Sequence, residues 1–163
     1  MAELTPLDEK LGEVLGLAQA AQAATDTVRR MEGADAFAGD LDEMRTQAEQ
    51  TEQRTAALVD TLEGRKTAIR EKARETKSEA SEMMKTYLSG EEEALDGFEF
   101  LSMAEAGELC HWEIVEKIAT AVSDEGAGHL ARWAVPVQRA HVHAVREAYL
   151  DLAVEEAKEM AGA

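Results

Sequence analysis

The stretch LSMAEAGELCHWEIVEKIATAV (residues 101–122) decides the fold. Leu101, Ala104, Glu108, His111, Val115, Ile118 and Val122 follow one another at alternating spacings of three and four, which places them on one inward face of a helix. Glu108 and His111 sit in the middle of that seam. An unpaired carboxylate there costs on the order of several kcal/mol, and a buried imidazole needs a partner. A second segment, WAVPVQRAHVHAVREAYL (residues 133–150), repeats the pattern. Its seam runs Ala131, Ala134, Gln138, His141, Val145, Ala148, Leu152, again with a polar pair three residues apart at its centre. Two helices that each aim an amide or carboxylate and a histidine at a bundle interior have the geometry from which carboxylate-bridged metal sites are built.

Outward from these helices the chain reads as all-α. It has 163 residues, two prolines, 4% aromatic content and abundant Ala, Glu, Leu, Lys and Met, a composition that favours helix over strand. Thr5 as N-cap, Pro6 at the first helical position and Asp8 in the first turn open helix A, whose stripe is Leu7, Leu11, Val14, Ala18, Ala21, Val28. Gly33 and Gly39 interrupt it. Helix B carries Leu41, Met44, Ala48, Thr51, Thr55, Leu58 and Leu62 and ends near Gly64. A crossover helix spans Lys66–Leu88, closed by Ser89 and Gly90. Helix C covers about 92–122 and helix D about 126–160, joined by the acidic turn SDEGAG. The expectation is one domain over residues 1–163, a four-helix bundle with a connecting helix between B and C.

Charge and cysteine usage limit the function. Thirty-four acidic against 17 basic residues give a formal charge of −17, which repels nucleic acid and anionic membranes, so neither is expected as a partner. No stretch reaches the roughly 18 apolar residues that span a bilayer, and no signal-like apolar run opens the chain. Cys110 alone supports neither an intramolecular disulfide nor a cysteine-rich metal cluster. A soluble, cytoplasmic protein is expected. The basic residues are unevenly placed: Arg65, Lys66, Arg70, Lys72, Arg74 and Lys77 crowd into residues 65–77 against only Glu71 and Glu75. That segment is expected to lie on acidic faces of its own bundle or of a second subunit. Phe98, Phe100 and Trp133 exceed what one seam can bury, and a homodimer is expected on that ground. Trp112, Trp133 and Tyr149 are expected at the core edge or an interface, and His129 in solvent.

The motif ELCH (residues 108–111) resembles the Glu-x-x-His pair of the ferritin-like superfamily, whose four-helix bundles hold two irons. The order of elements, and the runs AEQTEQRTAALVDTLE (48–63) and AGELCHWEI (106–114), are similar to its bacterial YciE/YciF-like branch. The resemblance implies a ferritin-like fold and a metal site, with iron or another divalent transition metal as cofactor. Glu108, His111, His141, Gln138 and one of Glu52 or Glu49 are the candidate ligands. Helix A offers only Gln19 and Gln22 at the level where that family places a glutamate. With few carboxylates to offset two divalent cations, one ion or none is expected. Two functions follow. One is a metal-binding, stress-related protein reactive toward oxygen or peroxide; the other is a metal-free structural or interaction module whose buried polar layer only specifies packing. No nucleophile triad, phosphate loop or dinucleotide fingerprint is present.

Overall fold

A computed structural model describes residues 3–163. Among the described residues there are five α-helices, α1 Pro6–Arg29, α2 Ala38–Asp60, α3 Lys66–Leu88, α4 Ala94–Val122 and α5 Glu125–Gly162, with a short 3-10 turn, Ala34–Phe37, leading into α2. Among the described residues there is no β-strand, and no helix is long and apolar enough to cross a membrane.

Local chemistry sets the helix ends. Thr5 and Asp8 form a reciprocal capping box: the Asp8 amide donates to Thr5 Oγ1 at 3.2 Å and the Thr5 amide donates to Asp8 Oδ2 at 3.0 Å. Asp8 is buried and also accepts from Arg65 Nη1 at 2.8 Å. This bond fixes the start of α1 to the turn before α3. Between α4 and α5, Ser123 takes a left-handed conformation, and Asp124 caps α5 by accepting from the Ala127 amide at 2.9 Å. α5 runs without interruption through Pro136, which lies on its exposed side.

The helices pack as a ring. α1 lies against α2 and α4, α4 lies most extensively against α5, and α5 closes on α2. α3 lies outside this ring, against α1 and more lightly against α4 and α2. Its contact with α1 is close because α1 presents Gly12 and Gly16 to it. A Cβ at Gly12 would stand 2.7 Å from Lys72 Cβ, and one at Gly16 would collide with the Ala73 carbonyl oxygen. The basic stretch 65–77 therefore docks on its own bundle, with Arg65 on Asp8 and Arg70 Nη2 donating to Asp60 Oδ1 at 2.7 Å.

The core is divided in two. One cluster joins Leu11, Val14, Val59, Ile69, Trp112, Val115 and Val135; the other joins Val28, Leu41, Met44, Phe98, Leu101 and Val145. Between them every helix of the ring turns polar. Phe98 and Phe100 are both buried within the chain, and Trp133 packs beneath the Arg54 guanidinium at 4.2 Å. The aromatic surplus from which a dimer was expected is thus absorbed by the fold itself. Trp112, expected at the core edge, is fully buried, and its indole N–H has no acceptor among the described residues.

The glycine contact gives a test. Gly16→Ala should destabilise the protein by about 1–3 kcal/mol, because the added methyl meets backbone rather than a movable side chain. Gly107→Ala, on α4 where an added Cβ meets nothing within 4 Å, should instead stabilise by up to about 1 kcal/mol. Urea unfolding of the two variants measures both signs; equal effects would refute the close α1–α3 contact.

Candidate functional site

The polar layer lies between the two apolar clusters, where α1 supplies Gln19 and Gln22, α2 Gln47 and Glu52, α4 Glu105 and Glu108, and α5 Gln138 and His141. Glu105 is its hub. Only 2% exposed, it accepts through Oε2 from Gln138 Nε2 at 3.1 Å, and His141 Nδ1 lies 3.0 Å from the same oxygen. The other ring nitrogen, His141 Nε2, lies 2.7 Å from Gln47 Oε1. With a neutral ring, the Nδ1 proton goes to Glu105 and the Gln47 amide turns its NH2 toward Nε2; with an imidazolium, both nitrogens donate and Gln47 accepts. In either form one chain of contacts ties α2, α4 and α5 together.

A second hub joins α1 to α2. Glu52 accepts from Gln19 Nε2 at 3.1 Å through one oxygen and from Gln22 Nε2 through the other. Glu49, the alternative considered for this position, is exposed and pairs with Arg45. Glu52 is therefore the residue of the two that turns to the bundle, and amides engage both of its oxygens.

Glu108 is different. It is 4% exposed, and no group among the described residues donates a hydrogen bond to it. Burial, and then the negative charge of Glu105, hold its carboxyl well above the usual carboxylate range. His111, one turn further on, leaves the layer. Its Nδ1 donates to the Gly107 carbonyl at 2.8 Å, its Nε2 lies 3.3 Å from Glu13 Oε2, and its side chain is 31% exposed.

Of the residues singled out in sequence, Gln138 and His141 share a hydrogen-bonded cluster, Glu108 lies beside it, Glu52 heads a separate cluster, and His111 faces the α1 side near the surface. Glu105 and Gln47 were missed. The buried stripe of α4 is Leu101, Glu105, Glu108, Trp112, Val115, Ala119, rotated from the expected seam so that Glu105 and Trp112 replace Ala104 and His111. At 100° per residue, Glu105 falls on the side that meets α5 and His111 on the side that meets α1. The spacing of Glu105 to Glu108, the same three as Gln138 to His141, was the available signal. Among the described residues, no group of three or more His, Cys, Asp or Glu side chains is arranged to hold a metal ion.

Two expectations follow. Glu105→Ala and His141→Ala should each cost roughly 1–3 kcal/mol and be strongly non-additive, whereas His111→Ala and His141→Ala, which share no partner, should add within about 0.5 kcal/mol. Thermal or urea unfolding of the two double-mutant cycles reads this, and coupling of His111 to His141 would overturn the assignment. The second concerns pH. A carboxyl raised in the native state is protonated there while the unfolded chain has already lost its proton, so stability falls as pH rises from the unfolded value of about 4.3, by about 1.4 kcal/mol per unit, until Glu108 itself ionises. Glu108→Gln removes that loss. The variant should gain on wild type as pH increases above about 4.3, and parallel pH–stability curves would refute it.

No known protein family, curated protein or solved structure matches this chain.

Proposed function

We propose that this chain is a ferritin-like bundle, with α3 as the connection between its two helical hairpins, that acts as a metal-free structural or protein-interaction module. The observation that carries this reading is the mutual saturation of the would-be ligands. Both nitrogens of His141 and both oxygens of Glu52 are already engaged by side chains of the layer. Such a network excludes other helix registers, since a shift by one residue would strand a buried carboxylate and an imidazole without partners. Exposed Met83, Tyr87 and Met103 supply the interaction half of the reading with apolar surface.

One observation favours a second reading. Glu108 has no donor and stands next to Glu105, so this acid pair accommodates a positive charge. The residues do not fit two irons: amides occupy Glu52, and glutamines stand where further carboxylates would be required. The nearest they come to a site for one divalent ion is Glu105 and Glu108 with His141, and these three are not arranged to hold an ion as they stand. An ion there would supply Lewis-acid or redox chemistry toward oxygen or peroxide. The chain itself would contribute Gln138, which donates to Glu105 and orients it.

The two readings separate in protein purified without immobilised nickel. Melting temperature is measured in chelator and in excess zinc, manganese or anaerobic ferrous ion, with elemental analysis alongside. The metal-free reading expects the same melting temperature throughout and no stoichiometric metal. One bound ion per chain, lost together with its stabilisation in His141→Ala and in Glu108→Gln, would overturn it in favour of the second.

A further inference from the structure

Behind Glu108, on the side away from His141, lies a crevice of about 40 Å³ between α1, α3 and α4. Its apolar lining mixes alanines, Ala21, Ala80 and Ala104 among them, with the larger Leu17, Met84 and Phe100. The alanines leave open a space that larger side chains at their positions would close. Two polar groups face the crevice. One is Glu108, more than nine-tenths buried and without a hydrogen-bond donor; the other is Ser81, whose hydroxyl donates to the Lys77 carbonyl at 2.8 Å and so keeps its own lone pairs free to accept.

We propose that this crevice binds a small primary ammonium ion, with Glu108 as its counter-ion and the Ser81 hydroxyl as a second acceptor. Size, charge and wall chemistry each narrow the guest. A single water needs roughly 10–15 Å³ and two to four polar partners, so the crevice has room for about two or three heavy atoms but too few polar groups to hold that many waters well. A divalent metal wants several oxygen or nitrogen ligands, and the apolar lining offers none beyond the two named. An ammonium with a short alkyl group matches all three: its N–H groups meet two acceptors, its charge answers the unpaired acid, and its methyl or ethyl group lies on the apolar lining. Where Glu108 holds a proton, the ammonium takes its place and that proton leaves to solvent.

The inference uses neither His141 nor a metal; it is compatible with the metal-free reading and competes with the second reading for Glu108. The test is a titration of the full chain, in chelator and at constant ionic strength, with methylammonium and ethylammonium chloride, followed by amide NMR shifts. Sodium chloride, ethanol and tetramethylammonium are the controls. The expected result is saturable shifts around Ala21, Ser81, Ala104 and Glu108 with the two primary amines only. Glu108→Gln should weaken binding at least about tenfold, and His141→Ala should leave it unchanged. Ala21→Leu fills the crevice while keeping the acid, and should abolish binding; if that variant fails to fold, Ala80→Leu makes the same test from α3. Equal shifts with sodium, shifts spread over the acidic surface without saturation, undiminished binding in Glu108→Gln, or no binding by wild type would each overturn the proposal.

Discussion

Every helix of the ring brings polar side chains to one interior level, and they have to meet each other there because nothing else can satisfy them. Glu105 carries most of this constraint. By receiving Gln138 and sitting beside His141, which in turn reaches Gln47, it fixes the axial positions of α2, α4 and α5. Glu52 does the same for α1 and α2. The apolar clusters on either side supply non-directional stabilisation that would tolerate slippage. The hydrogen bonds between them tolerate none.

α3 is held by a different principle. Its close approach to α1 depends on the absence of side chains at Gly12 and Gly16, with Ile69 as the large apolar residue it buries against Leu11 and Val14. The ion pairs Arg65–Asp8 and Arg70–Asp60 secure its first turns. Asp8 is fully buried while Arg65 is 39% exposed, so the guanidinium serves as a lid that partly solvates a capping carboxylate. The local surplus of basic residues in an acidic protein thereby has an internal use, in docking a helix that lacks a wide apolar face of its own.

How much of this was legible in the sequence depends on how many sides of each helix are apolar. α5 has one apolar stripe among charged residues, and every member of its predicted seam from Ala131 to Ala148 is buried. The cap at Thr5, the bounds of α3 and the turn at Ser123 and Asp124 were equally clear, because capping and turn chemistry are local. α4 was harder. It packs against both α1 and α5, so Phe98, Phe100, Leu101, Leu109, Trp112, Ile114, Val115 and Ile118 surround much of it, and a stripe drawn through spacings of three and four can be placed in more than one phase. The phase chosen from sequence put His111 inside and Glu105 outside. Volume decides the matter in the structure: Trp112 buries far more apolar surface than His111 can, and turning it inward carries Glu105 with it. Gln47 was hidden for a related reason, since its partner lies 94 positions away and no local pattern announces such a pair.

Glu105 and Glu108 show that two carboxylates one turn apart can stand on opposite sides of an energetic argument. Removing Glu105 would strand an amide and an imidazole, so the fold depends on it. Removing the charge of Glu108 strands nothing, because no group among the described residues donates to it. A leucine or glutamine of similar volume would avoid the cost of burying an acid beside another acid, and replacements of that kind are often neutral or stabilising. Packing alone therefore explains Glu105 and leaves Glu108 unexplained. A side chain that burdens the native state without supporting a neighbour fits an interior that takes up something the folded chain does not contain, and the apolar-lined space at its carboxyl is where that guest has room.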